Sequence, residues 1–459
     1  MRSLLTFAAD CAHRYVESLI ERRVAPDARA VADLSRFDVR LQDDSIDPRD
    51  VIRELDDGVT PATMAMAGPR FFGFVIGGSL PAALAADWLV SAWDQNTGLY
   101  NSTPGTSHIE DVALRWLLDV LRLPSESAGA FVTGTTVAHV TALAAARHAV
   151  LKRAGWNVEA DGLFGAPPIQ VVVSDEAHPT LLKALGVVGL GRKRIVRVPT
   201  DDQGRMRADA LPPLSGPAIV CVQVGNVNTG ASDPVSALCD YAQQVGAWVH
   251  VDGAFGLWAR VAPSRAYLAE GVERADSWAT DGHKWLNVPY DSGIAFVRDA
   301  EALRASMAVT AEYLPTATNR RNPSDFTPEL SRRARGIPVW AALRSLGRAG
   351  LTELVERNCR QARRFAAALA DVGCEVLNEV VLNQVLVSFG SPARTREVIA
   401  AIQRDGTMWA GETVWQGRTA MRISVCSWMT TDDDVEKSIE AIFRAARTGA
   451  HGPHAETVR

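Results

Sequence analysis

The sequence predicts an α/β protein: a mostly parallel central sheet, followed by a smaller C-terminal α/β domain. Three observations predict it. Ala218-Ile219-Val220-Cys221-Val222 and Ile169-Gln170-Val171-Val172-Val173 are nearly unbroken apolar runs, as in strands covered on both faces. Stretches of helical spacing separate such runs, which suits right-handed crossovers between parallel strands. Beyond about residue 336 the rhythm restarts, with helices first and then strand candidates at 384–389, 411–415 and 420–425.

Composition narrows the function classes. A chain of 459 residues is long enough for two or three domains, and 47% hydrophobic with 22% charged residues is ordinary globular usage. A net charge of -5 gives no electrostatic case for nucleic acid or for an anionic membrane. No apolar run reaches the ~18 residues of a membrane span. Charged residues within the first turns argue against a signal peptide. Cys11, Cys221, Cys239, Cys359, Cys374 and Cys426 form no CxxC pair and read as reduced thiols of a cytoplasmic protein.

In chain order, residues 1–65 read as a helical arm. Leu4, Leu5, Ala8, Cys11, Tyr15 and Leu19 form its apolar stripe, which needs another surface to bury against. The large domain, 66–310, opens on Pro69-Arg70-Phe71-Phe72-Gly73-Phe74-Val75-Ile76. A helix is expected from about Pro81 to Trp93, then a polar Gln95-Asn96. Ala130-Phe131-Val132 leads into Gly134-Thr135-Thr136, a turn whose N–H groups and hydroxyls suit a phosphate at a helix start, although a threonine there is also an ordinary cap. Strand candidates then end at Val173, before His178, and at Val222, before Thr229. The small domain, 311–446, starts with a polar loop over 315–328. Acids at 432–434 favour the start of its last helix. Residues 447–459 read as a disordered tail.

The stretch from Trp248 to Trp285 carries the chemistry. Trp248-Val249-His250-Val251-Asp252-Gly253-Ala254 delivers a carboxylate to the end of a buried strand. Ser277-Trp278-Ala279-Thr280-Asp281-Gly282-His283-Lys284-Trp285 ends in a lysine between a histidine and a tryptophan. Packing on Trp285 beside His283 is expected to leave the Lys284 amine poorly solvated and nucleophilic. An acid that keeps a pyridine nitrogen protonated and an amine that forms an imine are the pair that pyridoxal 5'-phosphate (PLP) requires. Taken singly, Asp252 also reads as a helix cap and His283-Lys284 as a solvated pair. Thr135, His178, Thr229, Asp252 and Lys284 all follow strand candidates, so they are expected to meet at one crevice beyond the strands' carboxyl ends.

These blocks resemble the group II PLP-dependent amino-acid decarboxylases, the family of aromatic amino-acid and glutamate decarboxylases, and the resemblance runs through most of the chain. It implies PLP fold type I (aspartate aminotransferase-like), decarboxylation of an L-amino acid to its amine, and a homodimer packed through the N-terminal arm. It implies Lys284, His178 and Asp252 as catalytic residues: the imine-forming amine, the ring stacked on the cofactor, and the acid at its nitrogen. Gly134, Thr135, Thr136, Thr229, Ala254, Asp281 and His283 complete the implied cofactor contacts. Phe74, with Val75 and Ile76, is the implied pocket wall, and Arg422 the cation for a carboxylate. Departures stand out: Val137 and His139 replace an acid and an asparagine after the Gly-Thr-Thr turn. Ser331-Arg332-Arg333 keeps a family motif, but Phe326 stands near the slot of a loop tyrosine, a change associated with aldehyde rather than amine as product. An aminotransferase or a carbon–carbon lyase would use the same Lys and Asp. A non-catalytic binding protein would not need both. A metal site of His250, Asp252 and His283 is set aside on the expectation that His250 and Asp252 face opposite ways.

Overall fold

The computed structural model describes residues 1–309 and 320–448. Residues 315–319 of the expected polar loop and nearly all of the expected tail lie outside the described residues. The chain divides into two units. One comprises Ser79–Arg360 and Asn378–Gln384; the other comprises Met1–Gly78, Gln361–Leu377 and the chain from Val385 onward.

The larger unit holds a seven-stranded sheet: β1 (Ala128–Val132), β2 (Gln170–Ser174), β3 (Val196–Val198), β4 (Ala218–Gln223), β5 (Trp248–Asp252), β6 (Ser277–Asp281) and β7 (Gly293–Val297), in the order β1-β7-β6-β5-β4-β2-β3. The pairs β3/β2, β2/β4, β4/β5 and β5/β6 are parallel. Strand β7 runs against both β6 and β1. Every residue of β4, β5, β6 and β7 is buried, which is why their sequences show no polar alternation.

Helix Thr135–Arg153 starts directly after β1 and packs on β5, β6 and β7. Its sheet-facing side is nearly all alanine (Ala138, Ala142, Ala145, Ala146), so the helix axis approaches the sheet closely. The apolar layer continues through Leu143, Val150, Val171, Val173, Leu185 and Ile219. Small side chains matter most where β1 ends. A Cβ added to Gly293 would lie 2.3 Å from Gly134 Cα, so these two backbones touch.

The second unit carries a four-stranded sheet of β8 (Glu375–Val376), β9 (Gln384–Ser388), β10 (Gly411–Trp415) and β11 (Arg418–Ser424), in the order β10-β11-β9-β8. The N-terminal segment packs within this unit. Arg23 donates to the carbonyls of Arg404 and Asp405. Arg70 and Asp434 form a buried ion pair at 2.8 Å, and Phe71 stacks on Trp409 at 5.1 Å between centroids. Much of helix Arg2–Ser18 and the segment after it still presents apolar side chains outward, including Leu5, Val16, Ile20, Val39 and Leu41.

Candidate active site

The parallel strands of the larger unit deliver their carboxyl ends to one edge, and Thr135, His178, Asp252 and Lys284 stand there with Asp281. Asp252 closes β5 and Asp281 closes β6. The two strand ends are paired: Asp252 lies opposite Ala279, and Gly253 N–H donates to Ala279 O at 2.9 Å. The chain then links acid to amine in three contacts. Ala254 N–H donates to Asp252 Oδ1 at 3.2 Å, Asp281 N–H donates to Ala254 O at 3.0 Å, and Lys284 Nζ stands 3.0 Å from Asp281 Oδ2.

Lys284 therefore differs from the expectation drawn from its neighbours. Its amine does not sit in an apolar pocket; it forms an ion pair with Asp281. Trp285 is fully buried and spends its indole N–H on Asn358 Oδ1 at 3.0 Å. Asp281 is a hub: its Oδ1 accepts the Thr135 N–H at 2.7 Å, and its carboxylate lies 3.6 Å from His283 Nε2. Burial pushes the Asp281 carboxyl up, but Lys284, His283 and the Thr135 N–H outweigh it, so it stays below the usual range. His283 stacks on Tyr290 at 4.2 Å and accepts the Ser292 N–H at Nδ1.

Asp252 is 4% exposed. Burial alone would raise its pKa. The His139 ring, 3.5 Å away, reverses that effect with the charges of His178 and Lys284, and the carboxyl is held well below its ordinary value. A buried carboxylate that stays ionised is what a pyridinium N–H needs as its acceptor.

Helix Thr135–Arg153 begins at this edge with extended Gly134 as its N-cap. Thr135 Oγ1 is buried and has no hydrogen-bond partner among the described residues. An unsatisfied hydroxyl at the N-terminus of a long helix fits a phosphate, which accepts from the hydroxyl and from the first N–H groups. Thr136, half-buried, follows it. His178 caps helix Pro179–Val187, and its Nδ1 accepts the Thr180 N–H at 3.3 Å and lies 2.7 Å from Thr180 Oγ1. Anion, amine, planar ring and helix N-terminus together fit PLP.

Other expected residues are placed differently. The Thr229 hydroxyl donates to Gln203 O at 2.8 Å and accepts from Ala231 N–H, so it serves the turn after β4 and does not support the Asp252 carboxylate. Phe326 packs on the apolar layer around Leu303 and Met307, under the Arg321 guanidinium at 4.4 Å. Phe74 and Arg422 belong to the other unit. There Phe74 is exposed, with φ 61°, and stacks on Trp409 at 5.6 Å. Val75 is buried, and Arg422 lies half-buried on β11, opposite Gly411.

His250 corrects the expectation of opposite faces. Residues two apart on a strand share a face, and His250 and Asp252 both turn toward His139. Both His250 nitrogens are engaged, one with His139 and one with Ser277, which leaves no lone pair for a metal. Sequence reading named His139 only as a departure and His250 only as a metal ligand set aside, and gave neither them nor Ser277 a place beside Asp252. The two-residue spacing to Asp252 was the available signal.

Fold and site together define a fold type I PLP enzyme. The chain belongs to the pyridoxal-dependent decarboxylase family, whose conserved-domain model matches residues 32–390. Tryptophan decarboxylase 1 of Oryza sativa subsp. japonica is 31% identical over 437 residues, covering 86% of this chain and 84% of that protein. A crystal structure of Oryza sativa TDC with PLP and tryptamine superposes with a TM-score of 0.91 at 27% identity, over 98% of both chains. A phenylacetaldehyde synthase of a Rosa hybrid cultivar is 28% identical over 69% of this chain and 65% of its own length. The protein is a PLP-dependent carboxy-lyase that removes carbon dioxide from an L-amino acid.

Proposed function

We propose that the substrate is an aromatic L-amino acid and that the reaction runs at the edge formed by β5, β6 and the start of helix Thr135–Arg153. The observation that carries the site assignment is the buried, ionised Asp252 linked through Ala254 and Asp281 to Lys284. The substrate class rests on similarity to a tryptophan decarboxylase, both in sequence and in a structure containing tryptamine.

When bound, PLP supplies the electron sink for the electron pair left behind as the carboxylate departs. Lys284 holds the cofactor through Nζ, and Asp281 aims that amine from the adjacent strand end. Asp252 accepts the proton-bearing ring nitrogen. Gly134, Thr135 and Thr136 hold the phosphate, with Thr135 Oγ1 gaining the partner it lacks among the described residues. His178 covers one face of the ring. Nδ1 lies 2.7 Å from Thr180 Oγ1, so Nε2 is the ring nitrogen through which His178 would act. The imidazolium form would deliver its Nε2 proton to Cα after carbon dioxide leaves, the ring returning to neutral imidazole. Ala254 and His283 border the cofactor through their contacts with Asp252 and Asp281.

A homodimer is part of this reading, supported by the outward apolar face of the N-terminal segment and by exposed Trp88, Leu89 and Trp93 on helix Pro81–Trp93. Six unpaired thiols, five of them buried, suit a reducing compartment such as the cytoplasm. Similarity to an aldehyde synthase supports a second outcome, in which amine gives way to aldehyde. One experiment tests both. Purified, PLP-loaded protein is offered tryptophan, tyrosine, phenylalanine and glutamate while carbon dioxide, amine, aldehyde and peroxide are followed. The proposal expects amine and carbon dioxide in equal amounts from an aromatic substrate. Preference for glutamate overturns the substrate class, and peroxide with aldehyde overturns the amine outcome.

A further inference from the structure

Behind Asp252 lies a line of buried polar side chains that the mechanism above does not use. Trp248 Nε1 donates to Ser277 Oγ at 2.9 Å. The same Oγ lies 2.9 Å from His250 Nδ1. His250 Nε2 lies 2.8 Å from His139 Nδ1, with the two rings edge-to-face at 81°. His139 Nε2 makes no hydrogen bond among the described residues and lies 3.5 Å from Asp252 Oδ2. His139, His250 and Ser277 have no exposed surface, and Trp248 is 4% exposed. Apart from that sliver of Trp248, none of the four side chains reaches bulk solvent, so the protons are placed within the line.

The two ends set the direction. An indole N–H can only donate, so Ser277 Oγ accepts from Trp248. The hydroxyl has one proton of its own, and in this dry setting His250 Nδ1 is where it goes. Sending it elsewhere would strand it, at a cost of about 1–3 kcal/mol. His250 then carries its proton on Nε2 and donates to His139 Nδ1. His139 in turn carries its proton on Nε2, facing Asp252. A carboxylate can only accept, so the far end demands the same direction. The reverse arrangement would turn a nitrogen lone pair toward the Asp252 anion and leave the Ser277 proton without a partner.

We infer that Trp248, Ser277, His250 and His139 form a one-way hydrogen-bond relay that fixes both imidazole tautomers and points an N–H at Asp252, making His139 the positioning residue for the acid that holds the cofactor nitrogen. The consequence for the cofactor rests on the assignment of Asp252 above; the relay itself does not. It also accounts for the departure at position 139, where a side chain long enough to bridge from helix Thr135–Arg153 to β5 stands in place of a shorter one. His250 stays neutral in the line: burial and the neighbouring His139 push its pKa down to about 3, against the pull of Asp252.

The test has a cofactor-free arm and a cofactor arm. Long-range nitrogen–proton spectra of the histidine-labelled apoenzyme, assigned with His139→Gln and His250→Gln, report which ring nitrogen carries each proton. The expected result is neutral His139 and His250, both protonated at Nε2. An Nδ1-protonated or cationic ring at either position overturns the relay, whatever the fate of the variants. In the cofactor arm, His139→Leu is expected to bind PLP about tenfold more weakly, by analogy with the loss of an outer-shell partner of a ligand. His139→Gln, which restores an N–H donor, recovers most of that affinity and the absorption spectrum of the bound cofactor. Equal affinity in His139→Leu and wild type overturns the positioning role. If Asp252→Asn binds PLP as wild type does, the assignment of Asp252 fails, while the tautomer measurement still decides the relay.

Discussion

Two of the buried carboxylates of the larger unit, Glu110 and Asp252, are treated in opposite ways. Glu110, on helix Pro104–Val120, is fully buried and met by two arginines: Arg332 Nη1 at 2.7 Å and Arg321 Nη1 at 3.4 Å. Arg332 also donates to Thr97 O and Phe131 O, and Arg321 also bonds Gly129 O. Charge there is cancelled on the spot, and the arginines tie the segment around residues 320–332 to β1. Asp252 meets no arginine. Its neighbours are a backbone N–H at 3.2 Å and the His139 ring, whose Nε2 lies 3.5 Å away. Direct ion pairing consumes a carboxylate's capacity; support by neutral dipoles keeps the anion available to another cation. The Arg332-Glu110 pair is therefore the structural content of the Ser331-Arg332-Arg333 motif, and Asp252 is the chemical one of the two acids.

Exchange of the two acids for their amides separates these roles. Asp252→Asn should lower the rate of carbon dioxide release by roughly 100-fold or more, with a melting temperature close to wild type; Lys284→Ala should reduce release to background with the fold retained. Glu110→Gln should do the reverse. Leaving Arg332 buried without its anion should cost about 3–5 kcal/mol in denaturant titrations, while the surviving folded enzyme keeps its kcat. Loss of kcat in Glu110→Gln at unchanged stability would erase the distinction.

Acid sharpens the contrast further. The unfolded chain protonates His250 near pH ~6.5, whereas the folded one does so only at about 3, so stability falls as pH drops through that window. Asp252, held below its usual range, contributes stability above pH ~4 that is lost on acidification. Buried Asp233 opposes them: burial pushes it up to about 7, so the unfolded chain ionises first as pH rises above ~4, and acid favours the fold. Melting temperatures between pH 4 and 6.5 should fall less steeply in His250→Asn and more steeply in Asp233→Asn. The smallest effect concerns thiols. Burial pushes Cys239 up to about 11 and raises Cys374 as well, but Cys374 is the one partly exposed thiol of the six. A thiol reagent should modify Cys374 first and leave carbon dioxide release unchanged.

Much of this was legible from the chain alone. The apolar strands advertise their double-sided burial, and the Asp252 and Lys284 blocks lie at the ends of adjacent strands because parallel strands share a carboxyl edge. What was not legible depends on side-chain direction. Thr229 follows a strand as the other site residues do, yet the turn after β4 claims its hydroxyl. Lys284 was expected to owe its character to Trp285, next in sequence, but Asp281, one turn earlier, is what its amine meets. The link from His139 to His250 joins positions 111 residues apart and emerges only when a helix lies across the sheet.

The contact between Gly134 and Gly293 sets a limit on remodelling this enzyme. With 2.3 Å between a would-be methyl at 293 and its neighbour, no side chain of any size fits without prying the first turn of the helix off the last strand. A designer who wants a roomier catalytic edge has to look past that seam. Swapping polar groups along the helix, as position 139 already illustrates, alters chemistry without altering spacing, and is the gentler route to new selectivity.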